Sequence, residues 1–196
     1  MESVRLPSTL KKIERRAFFR CKNLKGLTFP TGLEKIGLYA FSESGLESAE
    51  FPASLRTIAQ GTFACCKSLR TAKFAEGLET LGTDERPENG NHWYGVFQGS
   101  ALESVTLPST LRRIEDLAFK KCKNLRSVTL PEDLKYIGYS CFRGTGIVEI
   151  TLPGALQEVG ENTFADCASL KIVWMEDGCK INAKKLVGND VEVRRK

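Results

Sequence analysis

The 196-residue chain has one histidine, two tryptophans and two methionines. No apolar run in it approaches the roughly 18–20 residues that cross a bilayer, so membrane insertion is not expected. No basic segment leads into an apolar stretch, so no secretory signal is visible. There is no C-x-x-C, and a single histidine cannot complete a Cys/His metal set of ordinary spacing. A phosphate loop, a G-x-S-x-G elbow and a paired-carboxylate motif are all missing. A cysteine nucleophile would need a nearby histidine base, and His92 is the sole candidate. The residues therefore predict no enzyme and no cofactor. A metal set of His92, Asp84, Glu85 and Glu88 can be written down, but nothing in their spacing favours it.

What the chain does have is a period. Phe18, Phe41, Phe63, Phe97, Phe119, Phe142 and Phe164 are separated by 23, 22, 34, 22, 23 and 22 residues. A repeat of that length with one insertion is the mark of a solenoid. Each unit runs in the same order: a strand-like segment such as "LESVTLP" or "LRSVTLP", a two-residue turn, L-x-x-I, then A-F or T-F, then C-x-x-L or a glycine turn. The alternation in Val128, Thr129 and Leu130 is that of a strand, which Pro131 ends by removing a donor. L-x-x-I reads as a second, shorter strand, and the piece around "AFKKC" has room for a single helical turn at most.

Burial explains the repetition. In the fifth unit Val105, Leu107, Leu111, Ile114, Phe119, Cys122 and Leu125 form the inward set, and burying them contributes roughly 10–15 kcal/mol at about 1.5–3 kcal/mol for each large side chain. Ordering the unit's backbone costs about 1–2 kcal/mol for each of its twenty-two or so residues. One unit cannot fold alone, and stacked neighbours must close its two faces.

This pattern resembles the BspA-type leucine-rich repeat, with Leu, Pro, Ile, Ala-Phe and Cys at the family positions in several units. The resemblance covers residues 1–175, about seven units of 22–23 residues, and leaves 176–196 as a C-terminal cap with a basic tail. It implies a right-handed solenoid with a parallel β-sheet on its concave face, and short strands and single helical turns elsewhere. The fourth unit departs most, with Ala75 in place of proline and an insertion at 83–94. Relatives of this kind are mostly non-catalytic adhesive or ligand-binding surface proteins, which implies a cell-surface or extracellular setting and a protein or glycan ligand. A structural spacer within a larger surface protein is the alternative. The chain begins directly on a strand, "ESVRLP", leaving an uncapped end open to end-to-end self-association.

Three features bear on where a ligand would dock. Cys21, Cys66, Cys122 and Cys167 each precede a leucine by three residues, in odd units only. They are expected reduced and buried, and Cys179 in the cap is expected to be the most reactive thiol. The outward strand positions stack into columns. One reads Glu2, Lys25, Glu47, Arg70, Glu103, Arg126, Val148, Lys171 and predicts opposite charges facing each other. The adjacent columns, Ser3 to Glu149 and Arg5 to Trp174, are mostly small and polar, either as a ligand face or because side chains crowd there. The insertion "TDERPENGNHWYG" brings His92, Trp93 and Tyr94, which either anchor a partner or fold back over a neighbouring repeat. The expected ligand-binding residues are His92, Trp93, Tyr94, Lys73, Thr106 and Thr129. Basic residues (Lys11, Lys12, Arg15, Arg16, Arg56, Arg112, Arg113, Lys120, Lys121) make a broken stripe. Glu14, Glu34, Glu79, Glu115, Asp116 and Glu158 interrupt it without aromatic platforms, so no nucleic-acid partner is expected.

Overall fold

The computed structural model describes residues 2–83, 94–188 and 190–196. It is a parallel β-solenoid of about eight turns with almost no helix. A period of twenty-odd residues returns the chain to the same place, so equivalent residues stack and pair in register. One face carries the longer strands: β1 (Ser3–Arg5), β3 (Gly26–Thr28), β5 (Ser48–Phe51), β7 (Thr71–Phe74), β9 (Ser104–Thr106), β12 (Glu149–Leu152), β14 (Ile172–Met175) and β15 (Glu192–Arg195). A second face carries the L-x-x-I pairs, as expected: β2 (Lys12–Ile13), β4 (Lys35–Ile36), β6 (Thr57–Ile58), β8 (Thr80–Leu81), β10 (Arg113–Ile114), β11 (Tyr136–Ile137) and β13 (Glu158–Val159). Every pairing among these is parallel, with β6-β8-β10-β11-β13 forming the longest continuous ladder.

The core is a phenylalanine stack. Phe41, Phe63, Phe97, Phe119 and Phe142 are each 0% exposed, and consecutive rings from Phe18 to Phe164 lie parallel at centroid separations of 5.0–5.9 Å. A second column of Phe29, Phe51 and Phe74 meets the first edge-on. Edge-to-face contact suits the ring quadrupoles. In later turns Leu107, Leu130 and Leu152 occupy that second column. Of the fifth unit's predicted inward set, Leu111, Ile114, Phe119, Cys122 and Leu125 are fully buried, while Val105 and Leu107 are partly covered.

The A-F segment is not a helical turn. Residues two before and two after the phenylalanine take the left-handed conformation, as at Arg16 and Arg20, Tyr39 and Glu43, Leu117 and Lys121, Asn162 and Asp166. The segment is a run of tight turns, in which the amides of Ala17, Phe19 and Cys21 close onto the carbonyls of Glu14, Arg16 and Phe18, leaving every second amide facing the same way. The amides of Arg16, Phe18 and Arg20 donate to the carbonyls of Leu38, Ala40 and Ser42 in the next turn, and those of Leu117, Phe119 and Lys121 to Tyr139, Cys141 and Arg143. The amides of Ser140, Phe142 and Gly144 repeat this onto Glu161, Thr163 and Ala165. This third ladder is unidirectional: amides point toward the C-terminal end and carbonyls toward the N-terminal end.

Left-handed geometry costs a residue with a Cβ about 1–2 kcal/mol. Gly99 and Gly144 fill the position that Lys121 occupies between them, each with φ of 68°. Lys121→Gly should therefore raise stability by about 0.5 kcal/mol, the relief of strain exceeding the extra chain entropy of glycine. Chemical denaturation measures this, and a loss of stability would show that the lysine conformation is unstrained.

The cysteine slot also has a physical reason. In successive turns it holds Cys21, Ser44, Cys66, Ser100, Cys122, Thr145 and Cys167. The thiols of Cys66, Cys122 and Cys167 donate to the carbonyls of Phe41, Phe97 and Phe142 in the preceding turn, each at 3.1 Å. They also meet the hydroxyls of Ser44, Ser100 and Thr145 at 3.4–3.5 Å. The alternation of C-x-x-L turns with serine or threonine turns is thus a thiol–hydroxyl ladder.

Two cysteine expectations need correction. Cys66 and Cys122 are buried as predicted, but Cys21 is exposed and Cys167 half-buried. Among the described residues the Cys21 thiol has no hydrogen bond of the kind that Cys66, Cys122 and Cys167 make. Cys179 is 2% exposed rather than accessible, because the chain beyond β14 continues the core, with Ile181, Ala183 and Leu186 packed into it. All seven are free thiols.

Candidate ligand-binding face

On the long-strand face the outward columns stack as expected. Ser3 pairs with Gly26, Ser48 with Thr71 and Thr71 with Ser104. Arg5 pairs with Thr28, Glu50 with Lys73 and Lys73 with Thr106. The charge column is in register too, since Lys25 donates its amide to the Glu2 carbonyl, Glu47 to Lys25, Arg70 to Glu47 and Glu103 to Arg70. Its side chains pair less than predicted: among the described residues only Arg70–Glu103 forms an ion pair in this column. Exposed pairs contribute little and are readily exchanged for water.

Five of the nine basic residues of the stripe are paired with carboxylates, four of them with ones that interrupt it. Lys11 pairs with Glu34 at 2.8 Å, Lys12 with Glu14 at 2.9 Å, Arg56 with Glu79 at 3.2 Å, Arg112 with Asp133 at 3.1 Å and Arg113 with Glu115 at 2.8 Å. Arg113 also stacks on Tyr136, 3.9 Å from the ring centroid.

The long-strand sheet is interrupted at one place that the sequence does not foretell. Residues 125–130, "LRSVTL", have the clearest strand pattern of any unit and keep it in burial, with Val128 and Leu130 inward and Ser127 and Thr129 outward. Yet among the described residues no amide from Arg126 to Leu130 donates to a backbone carbonyl, and β9 has no ladder partner on that side. A cleft of about 610 Å³ opens there, lined by Val105, Thr106, Leu107, Thr129, Leu130 and Pro131, with Glu76, Glu132 and Asp133 at its margin. Glu76 is already engaged: its carboxylate accepts from the Ser109 amide and hydroxyl and from the Thr110 amide. These bonds, that of the Ser109 amide foremost, hold its pKa below the usual carboxylate value. The cleft's free valences are therefore unpaired backbone groups, two threonine hydroxyls and an apolar floor.

The predicted site residues separate into two places. Lys73 and Thr106 are paired in one column on the long-strand face, and Thr106 lines the cleft with Thr129. Tyr94 is elsewhere. Its ring meets Tyr39 edge-on at 6.4 Å, and its backbone is hydrogen-bonded to the Tyr39 hydroxyl. Tyr39 belongs to the A-F edge, and its burial pushes its pKa up. Tyr94 thus folds back onto the second turn, two repeats before its own. His92 and Trp93, with Asp84, Glu85 and Glu88, lie outside the described residues.

At three of the cysteines burial disfavours the thiolate. Burial pushes Cys66 up to about 11, Cys122 up to about 12 and Cys141 well above its ordinary value. At about pH 8, maleimide labelling followed by peptide mapping should find Cys21 modified first, then half-exposed Cys65. Cys66, Cys122, Cys141 and Cys179 should react only on unfolding. Labelling of Cys179 at the rate of Cys21 would contradict its packing in the core.

Stacked parallel strands, a phenylalanine spine and a leucine- and cysteine-marked turn define a leucine-rich repeat solenoid. The chain belongs to the BspA-type leucine-rich repeat family, whose region matches residues 1–85 and 94–188 in six copies. A leucine-rich repeat protein from Bacteroides ovatus superimposes with a TM-score of 0.77 at 25% identity, covering 100% of this chain and 55% of that one. The chain thus spans just over half of that relative. The pneumococcal vaccine antigen PcpA superimposes with a TM-score of 0.57 at 19% identity, over 100% of this chain and 62% of that one. No curated protein matches the chain in sequence.

Proposed function

We propose that the chain is a non-catalytic interaction module of a surface protein, binding a protein or glycan ligand on its long-strand face. Residues 1–175 form the repeat array in this reading, and 176–196 close it. The observation that carries it is the cleft between β9 and residues 125–130. There the repeat rule is broken, hydrogen-bonding backbone is left without partners, and Thr106 and Thr129 stand at the opening. Buried polar groups in a fold of this regularity are normally satisfied, so an interruption bordered by polar side chains is where a ligand gains most. Family membership supports a cell-surface setting and a non-catalytic role, and the raised pKa values of the buried Cys66 and Cys122 thiols fit the latter.

The test is capture of the chain by panels of extracellular-matrix proteins and glycans, run beside two variants. Thr106→Arg with Thr129→Arg fills the cleft and should abolish capture by any ligand found. Removal of residues 84–93 should leave capture on the long-strand face intact. Capture that survives the arginine pair would place binding elsewhere, and capture by neither parent nor variant would favour the spacer reading, in which repeats only set a distance.

A further inference from the structure

We propose that the C-terminal end of the A-F ladder is a binding site for a small oxyanion. In each turn from the first to the sixth, amides of this segment donate to carbonyls of the turn that follows. In the seventh turn the equivalent donors are the amides of Asn162, Phe164 and Asp166. Among the described residues none of the three has an acceptor, although their intervening neighbours Ala165 and Cys167 close tight turns onto Asn162 and Phe164. Three N–H groups of one segment are therefore left facing the way that the whole ladder faces.

Two further observations lie at the same place. Asn162 and Asp166, with φ of 58° and 60°, lie in consecutive tight turns closed by the Ala165 and Cys167 amides, and a run of turns is a backbone geometry that makes anion-binding concavities. And the space beyond these amides is not filled. A cleft of about 470 Å³ lies between the seventh turn and the cap, lined by Asn162, Phe164 and Asp166 on one side and by Lys185, Leu186 and Val187 on the other.

The electrostatics agree in sign. Each peptide carries a dipole of about 3.5 D, and the ladder aligns its peptides over seven turns with their positive ends toward this cleft. Lys185, exposed at the end of the short 3-10 segment Ala183–Lys185, adds a full positive charge. Two carboxylates stand on the lining as well. Asp166 is paired with Arg143 at 2.8 Å, so its charge is already met, and Asp190 lies on the cap side. A ligand with two or three oxygens on one centre (phosphate, a sulfate group or a carboxylate) matches a row of amides with a lysine opposite. Nothing here depends on the long-strand cleft, and the site stands whether or not that cleft binds.

The experiment is a titration of the isotopically labelled whole chain with inorganic phosphate, followed by amide NMR, with sulfate and acetate in separate arms. Saturable shifts should concentrate at Asn162, Phe164 and Asp166, with a dissociation constant on the order of 1 mM. Phosphate binding tighter than acetate would mark the source as a phosphate or sulfate, and the reverse as a carboxylate. Lys185→Glu should weaken phosphate at least ten-fold. Asp166→Gly, at a position that other turns fill with glycine, should tighten it several-fold, because it keeps the left-handed geometry and leaves the Arg143 charge unpaired. Both changes are at exposed positions, and unchanged spectra elsewhere would show that the fold survives. Shifts spread evenly over surface amides, or no change in affinity with either variant, would overturn the proposal.

Discussion

Phe119→Ala is expected to cost about 3–5 kcal/mol, the combined loss of transfer free energy and the cavity left behind. Phe119 is completely buried and is held between Phe97 at 5.7 Å and Phe142 at 5.3 Å, both nearly parallel to it. Collapse into the cavity is opposed from both sides, because each neighbour is itself fixed by the next ring and by the ladder amide on its own backbone. The phenylalanine's own amide donates to Cys141, so the main chain cannot shift inward without breaking a bond. Lys120→Ala, one residue along and partly exposed, should change stability by less than about 0.5 kcal/mol. Equilibrium urea unfolding of the two variants decides the matter, and losses of similar size would mean that the spine does not carry the fold.

Gly77→Ala should be nearly as damaging. The fourth unit has Ala75 where its neighbours have proline, and the Ala75 amide uses its freedom to donate to the Phe51 carbonyl. The turn that follows is different as a result. Gly77 has φ of 129°, and a Cβ there would stand 2.2 Å from the Ala53 carbonyl oxygen. The two penalties are independent. Backbone overlap costs typically about 1–3 kcal/mol, and the forbidden dihedral about 1–2 kcal/mol more, for an expected loss of about 3 kcal/mol. Gly26→Ala is the control, since no atom lies within 4 Å of the position its Cβ would take. In a strand it should be neutral or mildly stabilising. Thermal unfolding of the pair checks the prediction, and equal melting temperatures would refute it.

The fold was legible because its main determinant is a spacing. Seven phenylalanines twenty-odd residues apart, each followed by a cysteine, serine or threonine in a constant place, specify stacking whatever the local propensities. The L-x-x-I strands and the inward set of the fifth unit came from the same spacing. Backbone direction was not legible. Arg16, Tyr39 and Leu117 sit in the left-handed region with nothing in their chemistry to announce it, since tertiary stacking imposes a conformation that a sequence shows only through glycine or asparagine. The ladder they build, and the three amides at its end, are therefore invisible to a reading of side chains. The site residues were half legible. Thr106 and Thr129 followed from the columns. The interruption that makes them neighbours of a cleft did not, because "LRSVTL" reads as the best strand in the chain. Tyr94 was recognised as unusual, but its contact with Tyr39 depends on how the chain returns from the insertion.

The thiol–hydroxyl slot fixes how such an array can change its length. Cys66 needs a serine or threonine turn before it, and Cys21 to Cys66 and Cys122 to Cys167 each span 45 residues, two turns apiece. Deleting a single turn would set thiol against thiol or hydroxyl against hydroxyl at the junction, and bring like-charged strand positions into the same column. Deleting two turns restores every contact. The heritable module is then a doublet, and a longer or shorter array made by recombination within the gene should survive selection when it differs by an even number of turns.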